Sequence, residues 1–188
     1  MQTTLQDRLV EAGVDLVRRE GVEALSLREI ARRAGVSHGA PRRYFPTHQS
    51  LLGAIARVGY RDLGARIAAV VEGVAEPRAR VHALSRAYVA FAQAERGMFE
   101  LMFRHDLLRG NQIGLRQDSL TLFDTLVRLV EQALAPGRPP RVTATVLWAN
   151  LQGIAQLHLW GSLQLAAGVE DIDGLLASAV DGHLGPAA

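Results

Sequence analysis

Arg42 and Arg43 stand side by side in the stretch IARRAGVSHGAPRRYFP, residues 30–46, which also holds Arg32, Arg33 and His38 and contains no acid. Planar guanidinium groups that are always charged suit phosphate oxygens and the base edges of a nucleic acid. A second chemistry competes at the same place, because Gly35-Val36-Ser37-His38-Gly39 fits the Gly-x-Ser-x-Gly pattern of a nucleophile elbow. That elbow requires a strand before the serine and a helix after it. Here the preceding residues have helical spacing, so the hydrolase reading is set aside. The chain has no cysteine, no histidines at zinc spacing, no phosphate loop and no dinucleotide glycine pattern. No metal, cofactor or catalytic group is therefore expected, and His82, His105 and His158 read as packed or pocket polar groups rather than ligands.

The elements that must position these arginines are helical. Apolar residues recur at spacings of three and four almost throughout and never alternate, which predicts an all-α fold of about nine helices. Leu5, Leu9, Ala12 and Leu16 form one face of a first helix, closed by Gly21. Ser26 with Glu29 three residues on has the capping-box form and starts a second helix, which Gly35 ends. Ser37 is placed to cap a third helix, stopped by Pro46, and Thr47 to cap a fourth. Two short helices joined by Gly35-Val36-Ser37 make a helix-turn-helix pattern. Pro41 and Phe45 share the face expected to pack. His38 with Arg42, and Gly39 with Arg43, lie on the other face, where a major groove would be. Gly39 lets the backbone come close to DNA, and Ser37 can both cap and reach a phosphate. On the second helix, Arg28, Arg32 and Arg33 divide between backbone contacts and solvated surface. Arg18 and Arg19 read as surface.

Charge is polarised along the 188 residues. Residues 1–61 carry 10 arginines against 6 acids, and residues 62–188 carry 11 against 13, so the basic footprint lies at the N-terminal end. Lysine is absent, a usage that genome composition explains equally well. The polar, mixed-charge start shows no signal peptide, and with the lack of cysteine it points to the cytoplasm. Further helices are expected from Pro77, over 115–134, over 142–162 and over 172–184, and Gly97 reads as a break before MFELMF. Residues 142–169 contain no charge, but Asn150, Gln152, Gln156, His158 and Gln164 argue against a membrane span. A helix buried in a core or a subunit interface is expected instead. Trp148, Leu151, Ala155 and Leu159 make a stripe there which, with Leu175 and Ala179, could pair two copies of the chain. Phe91, Met98, Met102, Phe103, Phe123 and Trp148, with His105 and Gln152, are candidates for an apolar pocket with a few polar contacts.

The segment SLREIARRAGVSHGAPRRYFPTHQSLL, residues 26–52, resembles the N-terminal domain of TetR-type transcriptional regulators. The likeness rests on the Ala31-x-x-Ala34-Gly35-Val36-Ser37 turn, the Tyr44-Phe45-Pro46 exit and Leu51-Leu52. Trp148-x-x-x-Gln152-Gly153 is similar to a Trp-x-x-x-His-Gly signature of one C-terminal subgroup, with glutamine in place of histidine. The resemblance implies a dimeric repressor of double-stranded DNA, with residues 1–46 as DNA-binding head and 47–188 as ligand-binding and dimerisation domain. A small hydrophobic effector would release it from a palindromic operator. His38, Arg42 and Arg43 then become base-edge readers. Ser37, Gly39, Tyr44 and His48 become phosphate-positioning groups, and Arg28 a further DNA contact. Arg42 departs from the tyrosine common there, and His48 from the usual lysine. The competing reading is a helical small-molecule carrier without specific DNA binding.

Overall fold

The computed structural model describes residues 4–110 and 113–185, and among these every regular element is helical. In chain order the helices are α1 (Leu5–Glu20), α2 (Leu27–Arg33), α3 (Pro41–Tyr44), α4 (His48–Val71), α5 (Pro77–Ala94) and α6 (Arg96–Met102). There follow α7 (His105–Gly110), α8 (Leu115–Ala133), α9 (Pro140–Leu159), α10 (Ser162–Ala167) and α11 (Ile172–Leu184), while Val22–Ala24 forms one 3-10 turn. The number is close to the nine or so expected, and the six-residue α7 and α10 make up the difference. The single helix expected over 142–162 ends at Leu159, because Gly161 takes a left-handed φ of 73° and α10 restarts beyond it.

The chain forms two compact units, one of residues 1–62 and 95–120, the other of 63–94 and 121–188. In the first, Thr4 and Asp7 build a reciprocal cap on α1, with Asp7 N–H donating to Thr4 Oγ1 at 3.2 Å and Thr4 N–H to Asp7 Oδ2 at 3.0 Å. α1 packs against α2, α3 and α6. Its apolar face (Leu9, Leu16, Val17) is fully buried, as are Ile30, Leu51, Ile55, Met98, Phe99 and Met102. Gly97, expected to break the chain, lies inside α6. A Cβ there would stand 2.4 Å from the carbonyl oxygen of Val17, so the missing side chain is what lets α6 lie directly on the backbone of α1.

In the second unit α5, α9 and α11 pack on one another, and α10 packs on α9. Val81, Leu84, Leu147, Leu151, Val180 and Leu184 form the common core. The buried Ser85 hydroxyl is satisfied by donating to Val81 O at 2.8 Å. α5 and α9 open on Pro77 and Pro140, where a missing N–H costs nothing.

Candidate nucleic-acid interface

The turn between the two short helices is built by main-chain bonds that only a left-handed residue permits. Val36 N–H donates to Ala31 O at 3.0 Å and Gly35 N–H to Arg32 O at 3.1 Å, with Gly35 at φ 66°. Ser26 caps α2 through Glu29 N–H at 3.2 Å. Glu29's carboxylate turns instead to Arg32 and Arg33.

The third helix differs from expectation. Ser37 does not cap it, since the N-cap is Ala40 and α3 is one turn, Pro41–Tyr44. A helix capped at Ser37 needs the N–H of residue 41 to bond Ser37 O, and proline has none. Ala40 N–H makes that bond at 3.0 Å, closing a turn that leads into α3. Pro41 occupies the first helical position, where its cost disappears. The two faces divide as the residue types suggested. Pro41 and Phe45 are buried, and His38, Gly39, Arg42, Arg43 and Tyr44 are exposed. Gly39 has no positive φ, and a Cβ added to it would meet nothing within 4 Å, so nothing inside the chain requires glycine there. Beyond the exit, Thr47 caps α4, accepting from Ser50 N–H at 3.0 Å. His48, the first residue of α4, is half-buried, and its Nε2 has no hydrogen-bond partner among the described residues.

The arginines of this region fall into two sets. Arg33 reaches Glu29 at 2.9 Å and Asp15 at 3.3 Å and also contacts Glu20, while Arg32 holds Glu29 at 2.6 Å. Arg32 and then Arg33, by hydrogen bonding, hold the Glu29 carboxyl at about 2, well below the usual range. Arg8 donates to Ala34 O, and Arg19 pairs with Asp15. Arg28, Arg42 and Arg43 make no ion pair among the described residues, and all three side chains are exposed. Exposed, uncompensated positive charge is therefore concentrated on α3 and the first turn of α2.

A short basic helix presented by a glycine turn is a nucleic-acid-reading geometry, and comparison with known proteins gives the same answer. Residues 9–55 match the family described as bacterial regulatory proteins, tetR family, and residues 81–183 match the tetracyclin repressor-like C-terminal domain. The second match alone covers more than half the chain. The chain belongs to the TetR family. The HTH-type transcriptional regulator BetI of Yersinia pestis (strain Pestoides F) is 34% identical over 87 residues, 45% of this chain and 44% of BetI, so under half of that relative's length is matched. A solved structure of a protein with unknown function from Rhodococcus sp. RHA1 is 33% identical, covering 97% of this chain and 95% of its own with a TM-score of 0.81. The multidrug binding protein EbrR, solved with imidazole, shares the fold at 21% identity and a TM-score of 0.65, over 100% of this chain and 98% of its own.

The eight expected pocket residues fall into two groups. In the first unit, Met98 and Met102 are fully buried, Phe103 lies 4.8 Å from Phe99 and 6.1 Å edge-on from Tyr60, and His105 is exposed. Tyr60, missed in sequence, donates to Met102 O at 2.8 Å, and burial pushes its hydroxyl up to about 12. In the second unit, Phe91 is buried beneath the Arg66 guanidinium at 5.1 Å, Phe123 meets Trp148 edge-on at 6.1 Å, and Gln152 accepts from the Tyr88 hydroxyl. Two surface grooves of that unit have volume, about 360 Å³ beside Arg86, Val89 and Ile172 and about 210 Å³ beside His158, Leu163 and Val169. None of the eight lines either groove.

Of the residues expected to face a partner, Leu151 and Ala155 are buried within the second unit, and Leu159, Leu175 and Ala179 are half-buried. The exposed large apolar residues of α9 and its end are Val142, Val146, Trp148, Leu157 and Trp160, the last 65% exposed, so of the expected stripe Trp148 is exposed. α9 is apolar on more than one face. Only packing decides which set turns inward. Among the described residues no His/Asp/Glu group is placed to hold a metal ion, and no helix is long and apolar enough to cross a membrane.

Proposed function

We propose that this TetR-family regulator is a cytoplasmic homodimeric repressor that reads a palindromic duplex and is released by a small hydrophobic effector. The observation that carries the reading is the pair Arg42 and Arg43, exposed and unneutralised on α3 while Arg32 and Arg33 at the end of α2 are paired. Residues 1–46 form the reading head and 47–188 serve effector and partner. His38, Arg42 and Arg43 reach base edges from the turn and from α3. Ser37, Gly39, Tyr44, His48 and Arg28 lie along the phosphates. Gly39 gives the backbone its close approach, which accounts for a glycine that the fold itself does not use.

The exposed Val142, Val146, Leu157 and Trp160, with the half-buried Leu159, Leu175 and Ala179, are the residues that join two copies. Two heads then span half-sites about 34–36 Å apart or a multiple of that. The effector contacts are Phe91, Phe123, Trp148 and Gln152 of the second unit, where Phe123 meets Trp148 and Gln152 accepts from Tyr88. Such aromatic rings suit an apolar ligand with few directional contacts. Aspartates at Leu157 and Trp160 together should leave the chain monomeric by sedimentation.

Selection of binding sites from random duplex DNA tests the function. A palindrome preferred over random sequence by more than about 10³ is the expected result. Salt-sensitive binding without sequence preference would favour the carrier reading instead.

A further inference from the structure

Arg8, in the first turn of α1, reaches a segment 26 residues away. Its Nη2 donates to Ala34 O, the carbonyl at the C-cap of α2. The next residue is Gly35, whose left-handed φ of 66° turns the chain toward α3, and a Cβ there would stand 3.5 Å from the same Nη2. Carbonyls at a helix C-terminus lack partners within the helix and carry its negative end, so a guanidinium suits them. α1 is fixed at this point, because Arg8 N–H donates to Thr4 O at 3.1 Å and the adjacent Leu9 is fully buried. Arg8 thus holds the turn from outside, while the main-chain bonds of Gly35 and Val36 hold it from within.

The same arrangement recurs in this unit at Arg57 of α4, which donates to Ile113 O just before Gly114 at φ 74°. A Cβ at Gly114 would likewise lie 3.5 Å from the Arg57 Nη2. Arg57 is also locked by Asp118 at 2.8 Å, whereas Arg8 has no such acid among the described residues. A carboxylate beside the α2–α3 turn would repel the phosphates of any duplex brought to α3. We propose that Arg8 is a positioning residue for base recognition. It holds the Gly35 turn, and with it the direction in which His38, Arg42 and Arg43 are presented, without itself touching DNA. The proposal rests on the DNA-reading head given above.

The full-length protein, Arg8→Met, Arg8→Lys and Arg19→Met are compared on the duplex that the unaltered protein selects and on a scrambled duplex of equal length, each over a range of salt. Arg8→Met should lose about fivefold of the preference between the two duplexes, the low end for a coupling between sites, with its salt dependence unchanged on the scrambled one. Arg8→Lys, which can still donate to Ala34 O, should keep most of that preference. Arg19→Met, whose ion pair with Asp15 is local to α1, should keep all of it. Should Arg8→Met fail to fold, the shorter, uncharged Arg8→Gln should show the same loss. Preference unchanged in the neutral variants would overturn the proposal. So would a salt dependence shallower by about one on both duplexes, since that marks Arg8 as a phosphate contact. If the unaltered protein itself prefers no sequence, the reading of the head falls and the proposal with it.

Discussion

The rear of α2 and the front of α3 are equally rich in arginine and differ in what surrounds it. Arg32 and Arg33 meet Glu29, Asp15 and Glu20, so their charge is spent inside the head. Arg42 and Arg43, ten residues on, stand on a helix with no acid and on a face from which Pro41 and Phe45 have turned away. The same dipeptide, Arg-Arg, therefore braces the fold in one place and is offered outward in the other. A count of basic residues could not separate them, but the acids within reach can.

Gly97→Ala strikes both sets alike. The added methyl meets the Val17 carbonyl, loosening α6 from α1, and overpacking of this kind costs about 1–3 kcal/mol in thermal or denaturant melts. An unchanged melt would mean the helices part without penalty. Neutralising the rear acids should blur the contrast. An Asp15→Asn, Glu20→Gln, Glu29→Gln variant frees Arg32 and Arg33, so sequence-independent DNA binding should strengthen and its salt dependence steepen by about one per freed arginine that reaches a phosphate. Unaltered salt dependence would show that the rear face never meets DNA.

Gly39→Ala tests the front alone. With no atom near the new methyl, stability should stay within about 0.5 kcal/mol, while duplex affinity falls. The smallest effect is in acid. The Glu29 carboxyl, ordinarily near 4.5, is held at about 2 in the folded head. Its contribution is complete above 4.5 and is lost as pH falls from there toward 2. Melting of Glu29→Gln should show a flatter acid limb than the unaltered chain.

Much of this head is legible in sequence. Gly35, Ser26 and Thr47 each act through local main-chain bonds, and local bonds follow from residue type and spacing. The i,i+3 and i,i+4 pairs from Glu29 to Arg32 and Arg33 are equally local. What escaped was tertiary. Asp15 and Glu20 reach Arg33 only because α1 crosses α2. Gly97 looked like a break because glycine in a sequence does not distinguish a turn from a close approach. Leu151 and Ala155 looked like partner-facing residues because α9 is apolar on more than one face, and only the packing of α5 and α11 decides which face is inside. Pro41 shortens α3 because it lacks the backbone N–H that a cap at Ser37 would need.

On α3 the unpaired Arg42 and Arg43 are to read bases, and the paired Arg32 and Arg33 of α2 are not. Affinity for the selected duplex, measured for Arg42→Ala and Arg43→Ala beside Arg32→Ala and Arg33→Ala, tests it directly. The front substitutions should each cost about 1–3 kcal/mol and relax preference at one position, and the rear substitutions less than about 0.5 kcal/mol. Equal losses from the two sets, or a larger loss from the rear, would contradict the account.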